Sequence, residues 1–260
     1  MFELLLWRGR FLRWRRGLRL RLGCLHIGEH GVRAGLARGV NGKRDGRDHE
    51  QDRGPSCGFG QGSGCATRAA GSIVTLVEIE PQLAALAAEN AQRNGLAARV
   101  RAVALDVAAP PRAFAAAGLA AESVMRVMMN PPFNDPARQR SSPDAKRRLA
   151  HVASRDVLAR WVKTAVRLLR PRGTLTLIWR ADGLAEVLRL LEGAFGAITV
   201  LPVHPKVGAP AIRIIVRATK ASRAPLVLLP GLALSDGAGH PTVEAEAILR
   251  AGAGLPLGKV

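Results

Sequence analysis

From Ile73 onward the chain alternates short apolar runs with amphipathic stretches, which predicts strands and helices taking turns along a parallel sheet. Ile73–Ile79 reads as a strand with Glu78 near its end. Pro81 opens a helix, a position where its missing N–H is no loss. Leu83, Leu86 and Ala87 recur there at helical spacing, and Asn94-Gly95 closes the helix. Val100–Leu105 is a second strand leading to Asp106, and residues 108–120 read as a short helix with loops. Val124–Met129 is a third strand, running into Asn130-Pro131-Pro132-Phe133. Residues 134–153 read as a polar loop. A helix is then predicted from about Asp156 to Leu169, with Leu158, Trp161, Val162 and Ala165 on its apolar side and Pro171 as its stop. Thr174–Trp179 is a strand and residues 183–194 a helix. Ala197–Val203 and Ala211–Thr219 read as an antiparallel hairpin at the end of the sheet. The last forty residues are less regular, with an apolar patch at Leu226–Leu229 and a short helix at 243–250.

Upstream of Ile73 the pattern breaks. Met1–Leu22 mixes Leu, Trp and Phe with seven Arg and lacks the uninterrupted apolar core of a signal peptide. Such a basic amphipathic segment suits an RNA or membrane surface, or remains a disordered tail. Between Asn41 and Ser72 the only large apolar residue is Phe59. The centre of a parallel sheet needs a near-continuous Val/Ile/Leu run, so the first strand is poorly encoded. These shifts divide the chain into a basic, atypical region at 1–57, an α/β core at 58–222 and a tail at 223–260.

Composition narrows the function classes. At 260 residues and 48% apolar content the chain builds one domain with a real core and is not wholly disordered. No apolar stretch approaches the ~20 residues of a membrane span. Cys24, Cys57 and Cys65 suggest neither a disulfide framework nor a paired-cysteine zinc site, so no metal is expected and a reducing cytoplasm fits. The net charge of +19 suits a polyanionic partner such as nucleic acid. Only six of the 39 basic residues are Lys, and G+C-rich codons would produce the same Arg excess.

Asn130-Pro131-Pro132-Phe133 carries the most chemistry. An exocyclic amine on an aromatic ring is a poor nucleophile because its lone pair is delocalised. An Asn side-chain carbonyl and the next backbone carbonyl can each accept one of its N–H groups, localising the lone pair toward an incoming methyl. The two prolines stiffen the turn, and Phe133 offers a face for a base to stack on. A proline-rich turn after a strand is the plainer reading of the same four residues.

The segments VTLVEIEP (74–81), AENAQRNGL (88–96), ALDV (104–107), VMMNPPFND (127–135), LLRPRGTLTLIW (168–179) and AIRIIVRATK (211–220) together resemble the class I methyltransferases that use S-adenosylmethionine. More narrowly, they are similar to the tRNA(Val) adenine-N(6) methyltransferase family. The resemblance implies a Rossmann-like, mostly parallel sheet with an antiparallel C-terminal hairpin, and S-adenosylmethionine as cofactor. It implies that Glu78 binds the cofactor's ribose, that Asp106 meets its adenine (or instead caps the helix that follows it), and that Asn130, Pro131, Pro132 and Phe133 hold the target base. The base would have to leave its stack or already lie in a single-stranded loop. Arg138, Arg140, Lys146, Arg147 and Arg148 would grip phosphates, or form a solvated charge run. Direct methyl transfer needs no strong base, which leaves His204 a structural part. The partner implied is nucleic acid, tRNA first. Alternatives within the enzyme class are methylation of rRNA guanine, DNA adenine or protein glutamine; outside it, an RNA-binding relic with a damaged cofactor site.

The family pattern also calls for a buried strand followed by a glycine-rich turn. Gly58, Gly60 and Gly62 lie in such a cluster, with Gly58 twenty residues before Glu78, but charged residues Arg44–Pro55 stand where the strand should be. Met125 stands where the family pattern has an acid. Either Cys24–Leu36 serves as a poor first strand, or the residues upstream of about 72 are not the family's natural N-terminus and arise from a shifted reading frame. The second reading predicts that another frame of the coding DNA upstream of Ile73 encodes an apolar strand followed by Gly-x-Gly-x-Gly; sequencing that finds no such frame rejects it.

Overall fold

The computed structural model describes residues 2–7, 25–28, 31–34, 72–132, 145–251 and 253–257. The expected alternation is present. Strands β4 (Ile73–Glu78), β5 (Val100–Ala104), β6 (Val124–Asn130) and β7 (Leu169–Arg180) alternate with helices α1 (Pro81–Arg93), α2 (Pro111–Ala116) and α3 (Ala145–Leu168). α4 (Leu184–Leu191) leads to the antiparallel pair β8 (Phe195–His204) and β9 (Arg213–Lys220). Beyond it lie β10 (Val227–Leu228), β11 (Leu232–Ala233), α5 (Val243–Leu249) and β12 (Gly254–Leu255). One sheet of nine strands has the order β10-β8-β9-β7-β6-β1-β4-β5, with β11 also on β8. All neighbours are parallel except those of β9. This is the mixed, doubly wound α/β architecture read from the sequence.

The central strand is the main correction. It is neither Cys24–Leu36 nor a run beside the glycine cluster; it is β1, Phe2–Trp7, parallel to β4 on one side and β6 on the other. The physical reason is local. FELLLW is a nearly continuous apolar run, as a strand covered on both faces requires. Cys24–Leu36 is interrupted by polar residues and instead contributes β2 (Leu25–Gly28) and β3 (Gly31–Ala34), an antiparallel pair. With β12 these form a separate three-stranded sheet. A basic region read as atypical thus supplies a strand to the middle of the core.

Two layers cover the large sheet. On one face Val77, Val127, Leu175, Leu177 and Trp179 pack with Phe114, Leu158, Trp161 and Leu168 from α2 and α3. On the other, α1 lies over Val74 and Leu76 through Ala87 and Ala91, whose small side chains let the helix approach closely. Further along that face Leu201, Val203 and Ile215 meet Leu232, Ile248, Leu255 and Leu257. The segment expected as a tail therefore buries apolar surface, and buried Arg217 on β9 donates to the Leu257 carbonyl at 3.0 Å. Helix α3 begins at Ala145, well before the Asp156 expected, so part of the predicted polar loop is helical. Pro171, expected as a stop, lies inside β7, where the pairing with β6 shifts register between Val124 and Arg126. An irregular ladder tolerates a residue that donates no hydrogen bond.

A proline in β1 removes a ladder N–H from the middle of the sheet. Leu5→Pro is expected to cost on the order of 3 kcal/mol or more, roughly 6–12 °C of melting midpoint. An unchanged calorimetric midpoint would remove Phe2–Trp7 from the sheet.

Candidate active site at the carboxyl edge of the sheet

Parallel strands bring the residues at their carboxyl ends to one edge, where open α/β sheets hold ligands. β4 ends at Glu78 and β6 at Asn130. β1 lies between them in register, with Leu6 opposite Val77 and Trp7 opposite Asn130. Glu78 and Asn130 therefore stand level, two strand spacings or roughly 10 Å apart, and on the same face of the sheet. β5 adds the next position: Ala104 pairs with Glu78, and the Leu105 N–H donates to the Glu78 carbonyl at 2.8 Å. Asp106 follows directly. Three of the residues singled out in the sequence are thus gathered at one edge by backbone register.

Their hydrogen bonding differs. Glu78 is only 5% exposed. Its Oε1 accepts from the Glu80 N–H at 3.1 Å, whereas Oε2 is buried and has no partner among the described residues. A buried acceptor left open costs about 1–3 kcal/mol or more. Asp106 is exposed; its Oδ1 accepts from Ala108 N–H at 2.8 Å and its carbonyl from Ala109 N–H at 2.9 Å. That is a side-chain-closed turn. It does not cap α2, because the capping position there is Pro110. Asn130 is half-buried, Pro131 buried and Pro132 half-buried, and the Asn130 side chain makes no hydrogen bond among the described residues. The amide is therefore available to a ligand.

Other expected residues fall elsewhere. Gly58, Gly60, Gly62, Phe133, Arg138 and Arg140 lie outside the described residues. Lys146, Arg147 and Arg148 lie in the first turn of α3 rather than in a loop. The His204 ring is engaged structurally, with Nδ1 2.7 Å from the Ala209 carbonyl and Gly231 close against its Nε2–Cδ2 side. Arg180, at the end of β7, holds Asp182 through two bonds, Nε–Oδ1 at 2.8 Å and Nη2–Oδ2 at 2.6 Å. Among the described residues no group of three or more His, Cys, Asp or Glu is placed to hold a metal ion. No described helix is long and apolar enough to cross a membrane.

Sequence reading missed the strand that separates Glu78 from Asn130. The FELLLW run was the available signal, obscured by the arginines that follow it. It also missed Thr164. This buried residue on α3 donates its hydroxyl to the Val107 carbonyl at 2.9 Å, beside Asp106. A lone Thr between Trp161 and Ala165 on an apolar helix face was the trace it left.

No protein-family model matches the sequence, and no curated protein resembles it significantly. Solved structures do. A protein described as a predicted O-methyltransferase from Agrobacterium tumefaciens is 26% identical, with a TM-score of 0.60, over 74% of this chain and 85% of that one. A SAM-dependent O-methyltransferase from Thermotoga maritima is 20% identical (TM-score 0.41, over 64% of this chain and 58% of that one). TrmN from Thermus thermophilus is 22% identical (TM-score 0.41, over 61% and 41%). The fold is that of the Rossmann-like methyltransferases.

An open buried carboxylate oxygen is a stability cost that a neutral isostere relieves. Glu78→Gln keeps an acceptor for the Glu80 N–H and is expected to raise the melting midpoint by about 2–4 °C. A lower midpoint in differential scanning calorimetry would mean that the carboxylate is already satisfied.

Proposed function

We propose that this chain is an S-adenosylmethionine-dependent methyltransferase that modifies the exocyclic amino group of adenine in tRNA. The observation that carries the reading is the level placement of Glu78 and Asn130 on either side of β1 at the carboxyl edge. The methyltransferase fold supports the reaction class. The narrower substrate rests on the Asn130–Phe133 motif and its sequence neighbours.

The residues present fit the cofactor. The open Glu78 Oε2 is an acceptor suited to a ribose hydroxyl, and the Asp106 carboxylate, already turned by Ala108, suits an adenine amino group. When bound, the cofactor supplies a methyl carbon on a sulfonium, a good leaving group. The chain's work is then positioning. The Asn130 side-chain carbonyl and the Pro131 carbonyl each accept one N–H of the target amine. They favour a pyramidal nitrogen, with its N–H groups out of the ring plane, whose localised lone pair would attack the methyl carbon as the bond to sulfur breaks and a neutral thioether leaves. These bonds strengthen as the nitrogen gains charge in the transition state. The surplus proton then leaves to solvent. Acceptors without a strong base suit an amine, whose proton becomes acidic only after transfer. Phe133 would stack the extruded base. Arg138, Arg140, Lys146, Arg147 and Arg148, in a chain of net charge +19, would bind flanking phosphates. Gly58, Gly60 and Gly62 remain candidates for the turn against the cofactor, and tRNA places the reaction in the cytoplasm.

Incubation with methyl-labelled S-adenosylmethionine and bulk tRNA is expected to yield labelled N(6)-methyladenosine on nucleoside analysis. Asn130→Ala is expected to lower the rate by roughly 10²–10³ with an unchanged melting midpoint. Label in another nucleoside, or undiminished turnover in the variant, rejects the assignment; calorimetric binding of the cofactor without transfer to any RNA points to a different acceptor.

A further inference from the structure

Thr164 lies in the interior of α3, yet it bonds across to the loop that follows β5. A helical threonine ordinarily turns its hydroxyl to a carbonyl of its own preceding turn. Here the partner is the Val107 carbonyl, fifty-seven residues away in sequence, at 2.9 Å. Both groups are buried: Thr164 is 5% exposed and so is Val107. Val107 itself belongs to the main core, packed with Phe114 and Leu158.

Leu105 and Ala109 also pack against that core, but among the described residues the loop has few other polar ties. Its start is fixed by the Leu105 N–H on the Glu78 carbonyl. Its other bonds among the described residues are internal, from Ala108 N–H to Asp106 Oδ1 and from Ala109 N–H to the Asp106 carbonyl. These internal bonds fix the shape of the turn around the exposed acid, but they do not orient it against the helices. Among the described residues, the polar link from the loop to a helix outside it is the one through Thr164, at the residue next to Asp106.

We infer that Thr164 is a positioning residue for Asp106. It anchors the Val107 carbonyl and so sets where the Asp106 carboxylate stands relative to Glu78 for an adenine amino group. This rests on the cofactor reading above and adds a residue that touches neither cofactor nor substrate. The hydroxyl is the needed part, so serine retains the function and valine, equal in shape, loses it.

Calorimetric titration with S-adenosylmethionine tests it on the full chain. Thr164→Val is expected to weaken binding about tenfold, Thr164→Ser to restore it, and the loss to vanish when Asp106→Ala is already present. In steady-state assays the loss is expected in KM for the cofactor, with kcat retained. Hydrogen exchange on the cofactor-free protein is an independent readout: the Ala108 and Ala109 amides are expected to exchange faster in Thr164→Val. Should valine prevent folding, Thr164→Ala replaces it in the same series. Equal binding and equal exchange in the variant overturn the inference, as does an undiminished loss on the Asp106→Ala background. Absence of cofactor binding by the wild type overturns the functional reading instead, and the exchange experiment still decides whether Thr164 holds the loop.

Discussion

The parallel ladders on both sides of β1 are the interaction on which the site depends. Glu78 and Asn130 belong to strands that do not touch; each is levelled by its pairing to the same six-residue strand. Side-chain contacts adjust positions by tenths of an ångström, whereas a one-residue slip of a ladder moves a residue by about 3.3 Å and turns it to the other face. The relation between the open carboxylate and the diproline corner is therefore a property of backbone register first. Helices α1 and α3 then hold the sheet from opposite faces, and α3 also reaches the loop beyond β5 through Thr164.

The site divides its polar groups into closed and open ones. Asp106 is partly closed by its own turn, and Arg180 is closed on Asp182. Glu78 Oε2 and the Asn130 amide are left without partners among the described residues. An apolar core would not retain a half-satisfied carboxylate for stability, since burial of such a group opposes folding. Its retention is understandable if a ligand completes it, and its place at the carboxyl edge is where such a ligand sits in this architecture.

Much of this was legible before any coordinates. The strands ending at Glu78, Ala104 and Asn130 are short, apolar and flanked by turn residues, and the amphipathic period of α1 is closed by Asn94 and Gly95, the latter with φ of +67°. Such local signals place element ends well. The centre of the sheet was not legible, because a buried parallel strand carries no alternation, and FELLLW continues into Arg-rich sequence that resembles a surface segment. The start of α3 was missed for a related reason: Ala145–Ala150 holds three basic residues, and polarity alone does not separate a solvated helical turn from a loop. The Thr164 bond is a long-range contact between buried groups, with no periodic signature.

Sequence-distant partners meet throughout this fold. Glu3 pairs with Arg126, and Val32 pairs with Leu255. On the ribosome, then, β1 emerges before either neighbour, and the small antiparallel sheet lacks its third member until Leu255 has emerged. Seven arginines from Arg8 to Arg21 follow this apolar strand in sequence, and like charge opposes self-association. The arginines that hide this strand from pattern recognition would also keep the nascent segment unaggregated until its partners arrive.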